Sequence, residues 1–71
     1  MSDSAEQFRA RAEAERAAGD AATLDNVRDR CRRSQAAWEA MAVRAERNQT
    51  MRSDREAESA ERMLIGRTAI A

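Results

Sequence analysis

The amino-acid sequence predicts an all-α fold, specifically an antiparallel helical hairpin. Its composition is the first reason, because Ala, Arg and Glu dominate and all three favour the helix. The second reason is the scarcity of helix breakers, with no Pro and only two Gly among the 71 residues. The third is a run of apolar residues at alternating spacings of three and four, which is typical of one face of a helix.

The first helix is predicted over about residues 4–18. Gly19 is expected to end it, since glycine adopts the left-handed conformation after a helix without steric cost. Phe8 is the only large side chain on the apolar stripe of this helix. Two capping registers fit its start, and both pair an oxygen acceptor with a polar residue three positions later: Asp3 with Glu6, or Ser4 with Gln7.

The second helix is predicted over about residues 24–47, with Thr23 as its cap. It carries the clearest pattern in the chain, a seam of the heptad type that fades after Ala45. The seam consists of Leu24, Val27, Cys31, Ser34, Trp38, Met41 and Ala45. The six members other than Ser34, together with Phe8, are the predicted core or interface residues.

The C-terminal segment, residues 48–71, is only weakly specified. A third helix over about residues 54–65 is one alternative, because Ser53 begins a capping-box pattern and Gly66 could end the helix. One long helix from Leu24 to roughly Glu61 is the second alternative. A disordered tail is the third.

The short connection at residues 19–23 predicts that the two helices run antiparallel. Counting outward from this turn places Phe8 near Ser34 and Trp38, and Ala12 near Cys31. The second helix is the longer one, so its far end is expected to project beyond the first.

The apolar content is too small for a self-sufficient core. Hydrophobic residues make up 42% of the chain, but 17 of them are Ala and only 13 are larger. A single core in a chain this short seldom stabilises the fold by more than about 3–5 kcal/mol. We therefore expect a homodimer, most simply a four-helix bundle of two hairpins. The expected function is protein–protein interaction, as a small self-associating regulator or adaptor.

The residue types exclude most catalytic chemistry. The chain has no His and a single Cys, which removes the usual zinc ligand sets and the Ser-His and Cys-His nucleophile pairs. We predict no enzyme activity, and no catalytic, cofactor or metal residues. Cys31 could be a redox or intermolecular disulfide site, but its place on the apolar seam favours a small buried hydrophobic residue.

The charges suggest an alternative function. Thirteen Arg balance thirteen Asp and Glu, and the isoelectric point is near 6.3. The densest basic stretch could contact phosphate or nucleic acid through Arg28, Arg30, Arg32 and Arg33, and so make the protein a nucleic-acid-associated regulator. The low isoelectric point makes nucleic acid an unlikely partner.

The sequence also predicts where the protein acts. No apolar run approaches the roughly 18 residues of a membrane span, so no membrane association is expected. The polar, acidic start does not fit a secretory signal. We therefore expect a cytoplasmic protein.

Several segments resemble a group of short bacterial helical-hairpin proteins. The group has an Arg-rich first helix with a motif like Phe/Tyr-Arg-x-Arg-Ala, and a Trp-Glu-x-Met/Leu-Ala motif in the second helix. The matching segments, within roughly residues 5–47, are Phe8-Arg-Ala-Arg-Ala12, Asn26-Val-Arg-Asp-Arg30, Ser34, Ala37-Trp-Glu-Ala-Met-Ala42 and Arg44-Ala-Glu46. The resemblance implies a bacterial, cytoplasmic helical hairpin, and it implies no reaction and no site residues.

Overall fold

The computed structural model describes residues 4–70, with side chains through residue 67, as two packed helices. Helix α1 spans Ala5–Ala21 and helix α2 spans Asp25–Ile70. A three-residue link reverses the chain, so the helices lie antiparallel along one another. The predicted all-α helical hairpin is confirmed.

A capping box begins α1. The backbone N–H of Gln7 donates to the Ser4 hydroxyl at 3.3 Å, and the Ser4 N–H donates to the Gln7 side-chain oxygen at 3.0 Å. These bonds occupy N–H groups that have no partner within the helix. The register of Ser4 with Gln7 is thus confirmed, while Asp3 lies outside the described residues.

The predicted end of α1 at Gly19 is wrong. The helix continues to Ala21, and no described glycine has a positive φ. Gly19 is buried inside the helix because it faces α2 at a close approach of the two backbones. The glycine therefore makes room for the neighbouring helix rather than for a turn.

Helix α2 begins one residue later than predicted and is much longer. The Leu24 carbonyl accepts the N–H of Arg28 at 3.0 Å, and 46 residues then continue without interruption to Ile70. The predicted helix end near residue 47 and the separate third helix over about residues 54–65 are wrong. The alternative of one long helix from Leu24 is the one observed, although it continues to Ile70 rather than ending near Glu61. Gly66 is helical, and none of the described residues after 47 is a Pro or a left-handed Gly that would break the ladder.

The core between the helices is small. Its buried residues in the described part of the chain are Ala5, Phe8, Ala12, Cys31 and Ala42. Val27, Trp38 and Ala45 are half-buried. This confirms the predicted places of Phe8 and Cys31 and leaves one Phe and one Trp as the bulk of the core.

Two predicted core residues are exposed on the single chain. Leu24 is 61% exposed because it lies in the link, before the helix face begins. Met41 is 38% exposed, whereas its neighbour Ala42 is completely buried. After Trp38 the buried stripe takes a step of four residues rather than three, so the small side chain of Ala42 faces α1.

The molecule is a rod measuring 71 × 17 × 16 Å. At 1.5 Å per residue α1 is about 25 Å long and α2 about 69 Å, so α2 is nearly three times as long as α1. We call residues 50–70 the α2 extension, because they lie beyond the start of α1. Every residue of the extension through 65 is exposed.

Candidate interaction surface

An aromatic pair joins the two helices near the start of α1. The rings of Phe8 and Trp38 are stacked with centroids 5.9 Å apart and an interplanar angle of 24°. The Arg11 guanidinium lies 4.8 Å from the centroid of the Trp38 ring, a cation–π contact. The predicted proximity of Phe8 to Trp38 is confirmed, and this stack joins α1 to α2.

A close approach of the two helices lies nearer the turn, at Gly19. A β-carbon built on Gly19 would come within 3.2 Å of the Cys31 β-carbon and 3.3 Å of an Arg32 guanidinium nitrogen. Cys31 therefore faces Gly19, not Ala12 as predicted from counting outward from the turn. The difference arises because α1 continues through Gly19 and the link is shorter than expected.

One side of the hairpin is closed by ion pairs between the helices. Arg9 reaches Glu46 across the interface at 2.8 Å, and Arg32 reaches Asp20 at 2.6 Å. The hydrogen bond from Arg32 lowers the pKa of Asp20, and that from Arg9 lowers the pKa of Glu46. Arg16 extends the cluster along α1, since it pairs with both Asp20, at 2.8 Å, and Glu13.

The other side of the hairpin is open. There a groove of about 520 Å³ runs between the helices near the turn, with the buried Cys31 among its lining residues. Its remaining lining residues are Glu15, Ala18, Ala21, Ala22, Val27, Arg30 and Ser34. At 3.6 residues per turn, Arg30 and Ser34 lie on the flank of α2 opposite to Arg32 and Glu46. The two sides therefore differ in chemistry, one being bridged by charges and the other being a mainly apolar groove.

The four arginines of the predicted phosphate site do not form one surface. Arg28 donates to the Ala22 carbonyl at 2.9 Å and lies 3.7 Å from Asp25, while Arg32 pairs with Asp20. These two side chains hold the turn together. Arg30 and Arg33 make no ion pair within the described residues and point to another part of the surface. Arg28 and Arg32 are thus held by neighbouring residues, whereas Arg30 and Arg33 form no ion pair among the described residues.

Large apolar side chains are exposed outside the groove. Along α2 they are Met41, Val43, Met51, Met63, Leu64 and Ile65.

No described helix combines the length and apolar content needed to cross a membrane. Comparison with protein-family models, with curated proteins and with solved structures found no match to the chain.

Proposed function

We propose that the protein is a small self-associating helical protein that acts through protein–protein contacts, with a second copy covering the open side of the hairpin. The difference between the two sides carries this proposal. Ion pairs seal one side, while the groove leaves Ala18 and Val27 in contact with solvent. A dimeric four-helix bundle is the simplest assembly that covers the grooves of both copies.

The small core supports the same proposal. Four of the five buried hydrophobic residues are Ala or Cys, and each contributes little apolar area. A standard interface takes about 800 Å² from each partner, a modest fraction of the 5894 Å² surface of the chain. Burying that area would add the apolar contacts that a single hairpin lacks. The resemblance to short bacterial helical-hairpin proteins further supports a cytoplasmic location.

Sedimentation equilibrium of Ala18→Glu tests the proposed surface. Ala18 is exposed and lines the groove, so a glutamate there places a charge within the expected interface without removing a core contact. Ala17→Glu is the matched control, because Ala17 is exposed on the same helix and does not line the groove. We expect a dimer for the wild type and the control, and a monomer with unchanged circular dichroism for Ala18→Glu. A wild-type monomer at micromolar concentration, or equal effects of the two variants, would overturn the proposal.

A further inference from the structure

One face of α2 carries a row of arginines without carboxylates. The row follows spacings of three and four that keep it straight along the helix, within a sector of about 80°. From Arg30 to Arg62 it comprises Arg30, Arg33, Ala37, Met41, Arg44, Asn48, Met51, Arg55, Ser59 and Arg62, all exposed. We call these residues the arginine row. The six carboxylates of the same stretch of α2 lie outside this sector.

The arginines of the row are largely free to bind a ligand. Arg30, Arg33, Arg44 and Arg55 make no ion pair within the described part of the chain, and Arg62 lies 3.7 Å from Glu58. In contrast, Arg9, Arg16 and Arg32 on the closed side are all held by carboxylates. Four arginines without an ion pair among the described residues therefore lie on one face of α2, while Arg47, Arg52 and Arg67 lie outside the row.

We propose that the arginine row binds the phosphate backbone of duplex nucleic acid, with α2 lying along the duplex. Arg33, Arg44 and Arg55 are spaced by eleven residues, which is about 16.5 Å at the helical rise. A duplex makes one turn in roughly 34–36 Å, so a line parallel to its axis meets one of the two backbones every 17 Å or so on average. Long arginine side chains bridge the difference between the wide and the narrow groove.

The chemistry of the row favours phosphate over a lipid surface. Arginine presents a planar fork of donors that matches phosphate oxygens. Helices that bind in a membrane interface combine a basic face with Trp, Phe or Leu that enters the lipid. Between its arginines the row has Ala37, Asn48 and Ser59, and its two larger apolar residues are methionines. Leu64 and Ile65 lie on other faces of α2.

The low isoelectric point does not contradict this assignment. It averages over the whole chain, whereas the carboxylates of α2 between residues 30 and 62 lie outside the row. The Debye length is about 8 Å at physiological ionic strength, whereas a helix with its side chains is about 10–12 Å across. A phosphate on the arginine row is therefore largely screened from carboxylates on the opposite face of α2.

Fluorescence anisotropy with a labelled 20-base-pair DNA duplex of arbitrary sequence tests the proposal. Backbone contacts give binding that is independent of sequence and that weakens steeply with salt. Five phosphate contacts predict a slope of log Kobs against log salt of about −4.5. Arg44→Gln combined with Arg55→Gln should weaken binding and make the slope shallower by about 2.

The matched control is Arg47→Gln combined with Arg67→Gln. Both residues are exposed arginines of α2 outside the row, so net charge changes equally in the two double variants. We expect the control to keep the affinity and slope of the wild type. No binding at 20 mM salt, equal losses in both double variants, or preferential binding to phosphatidylserine vesicles would overturn the proposal. Arg30 lines the groove that a second copy would cover, whereas the substituted residues Arg44 and Arg55 do not, so the comparison of the two double variants applies to the monomer and to the dimer.

Discussion

Replacing Gly19 by Ala tests the inference that this glycine exists for the close approach of the helices. In an isolated helix the change would be favourable, because glycine in a helix interior is about 0.5–1 kcal/mol less stable than alanine. In this hairpin the added β-carbon would lie 3.2 Å from the Cys31 β-carbon, which is fixed to the backbone and cannot rotate away. The two effects therefore oppose each other.

The expected change in the free energy of unfolding is the sum of these two effects. Overpacking a close contact costs roughly 1–3 kcal/mol, so we expect Gly19→Ala to lower the free energy of unfolding by up to about 2 kcal/mol after the gain in helix propensity. The Arg32 guanidinium at 3.3 Å adds little, since it is the end of a flexible side chain. At Gly66 an added β-carbon meets nothing within 4 Å, so Gly66→Ala should instead stabilise the helix by about 0.5–1 kcal/mol.

Urea unfolding at fixed protein concentration measures these differences. Trp38 fluorescence follows the hairpin that contains Gly19, and circular dichroism also follows the α2 extension that contains Gly66. Cys31→Gly removes the opposing β-carbon, so in that background Gly19→Ala should become stabilising. A double-mutant cycle over the two positions isolates their coupling. If Gly19→Ala stabilises the wild type as much as Gly66→Ala does, the close approach does not determine the choice of glycine.

Two further perturbations address the anchor and the ion pairs. Trp38→Ala removes the stack on Phe8 and should lower the free energy of unfolding by about 2–3 kcal/mol. This is less than the roughly 3–5 kcal/mol of a fully buried aromatic residue, because the indole is half-buried. A loss below about 0.5 kcal/mol in urea unfolding would contradict the role of Trp38 as an anchor. Because the pKa values of Asp20 and Glu46 are lowered in the folded protein, their ion pairs contribute fully to the free energy of unfolding above the ordinary pKa values of 3.8 and 4.5. This contribution is lost as the pH falls through the lowered pKa values. The urea midpoint should therefore decrease below about pH 4.5, and less so in Asp20→Asn; identical acid profiles would show that the Asp20 pair does not contribute.

Much of the hairpin follows from the spacing of apolar residues. Phe8 and Trp38 are the only aromatic residues, and a short link between two helices brings them together in an antiparallel arrangement. The capping register of Ser4 with Gln7 was one of two that the sequence allowed. These features depend on local patterns, which a single sequence contains.

Other features depend on contacts between distant residues. Met41 and Ala42 are both apolar, and only the position of α1 decides that the smaller one is buried. The role of Gly19 could not be distinguished from a helix end, because the sequence does not show that Cys31 lies opposite. Gly66 was also expected to end a helix, but the helix continues through it and no residue lies within 4 Å of a β-carbon added there.

The density of arginines along the sequence was a poor guide to the position of the basic surface. Successive residues of a helix point about 100° apart, so the arginines at positions 28–33 are distributed over several faces. The arginine row is sparse in the sequence and becomes continuous only when α2 is a single helix through residue 62. A search at spacings of eleven residues would have detected Arg33, Arg44 and Arg55.

The α2 extension, which is nearly half of the helix, has a consequence for how the molecule unfolds. Its backbone hydrogen bonds are protected by no neighbouring element, so they open from the free end inward rather than in one step. Amide protons should therefore exchange fastest near the tip and progressively more slowly toward residue 50, whereas those beside Trp38 wait for the helices to separate. The extension is therefore an arm of about 30 Å whose helical structure depends on its own local hydrogen bonds. A ligand bound along it would extend the part of the helix whose amide protons are protected from exchange.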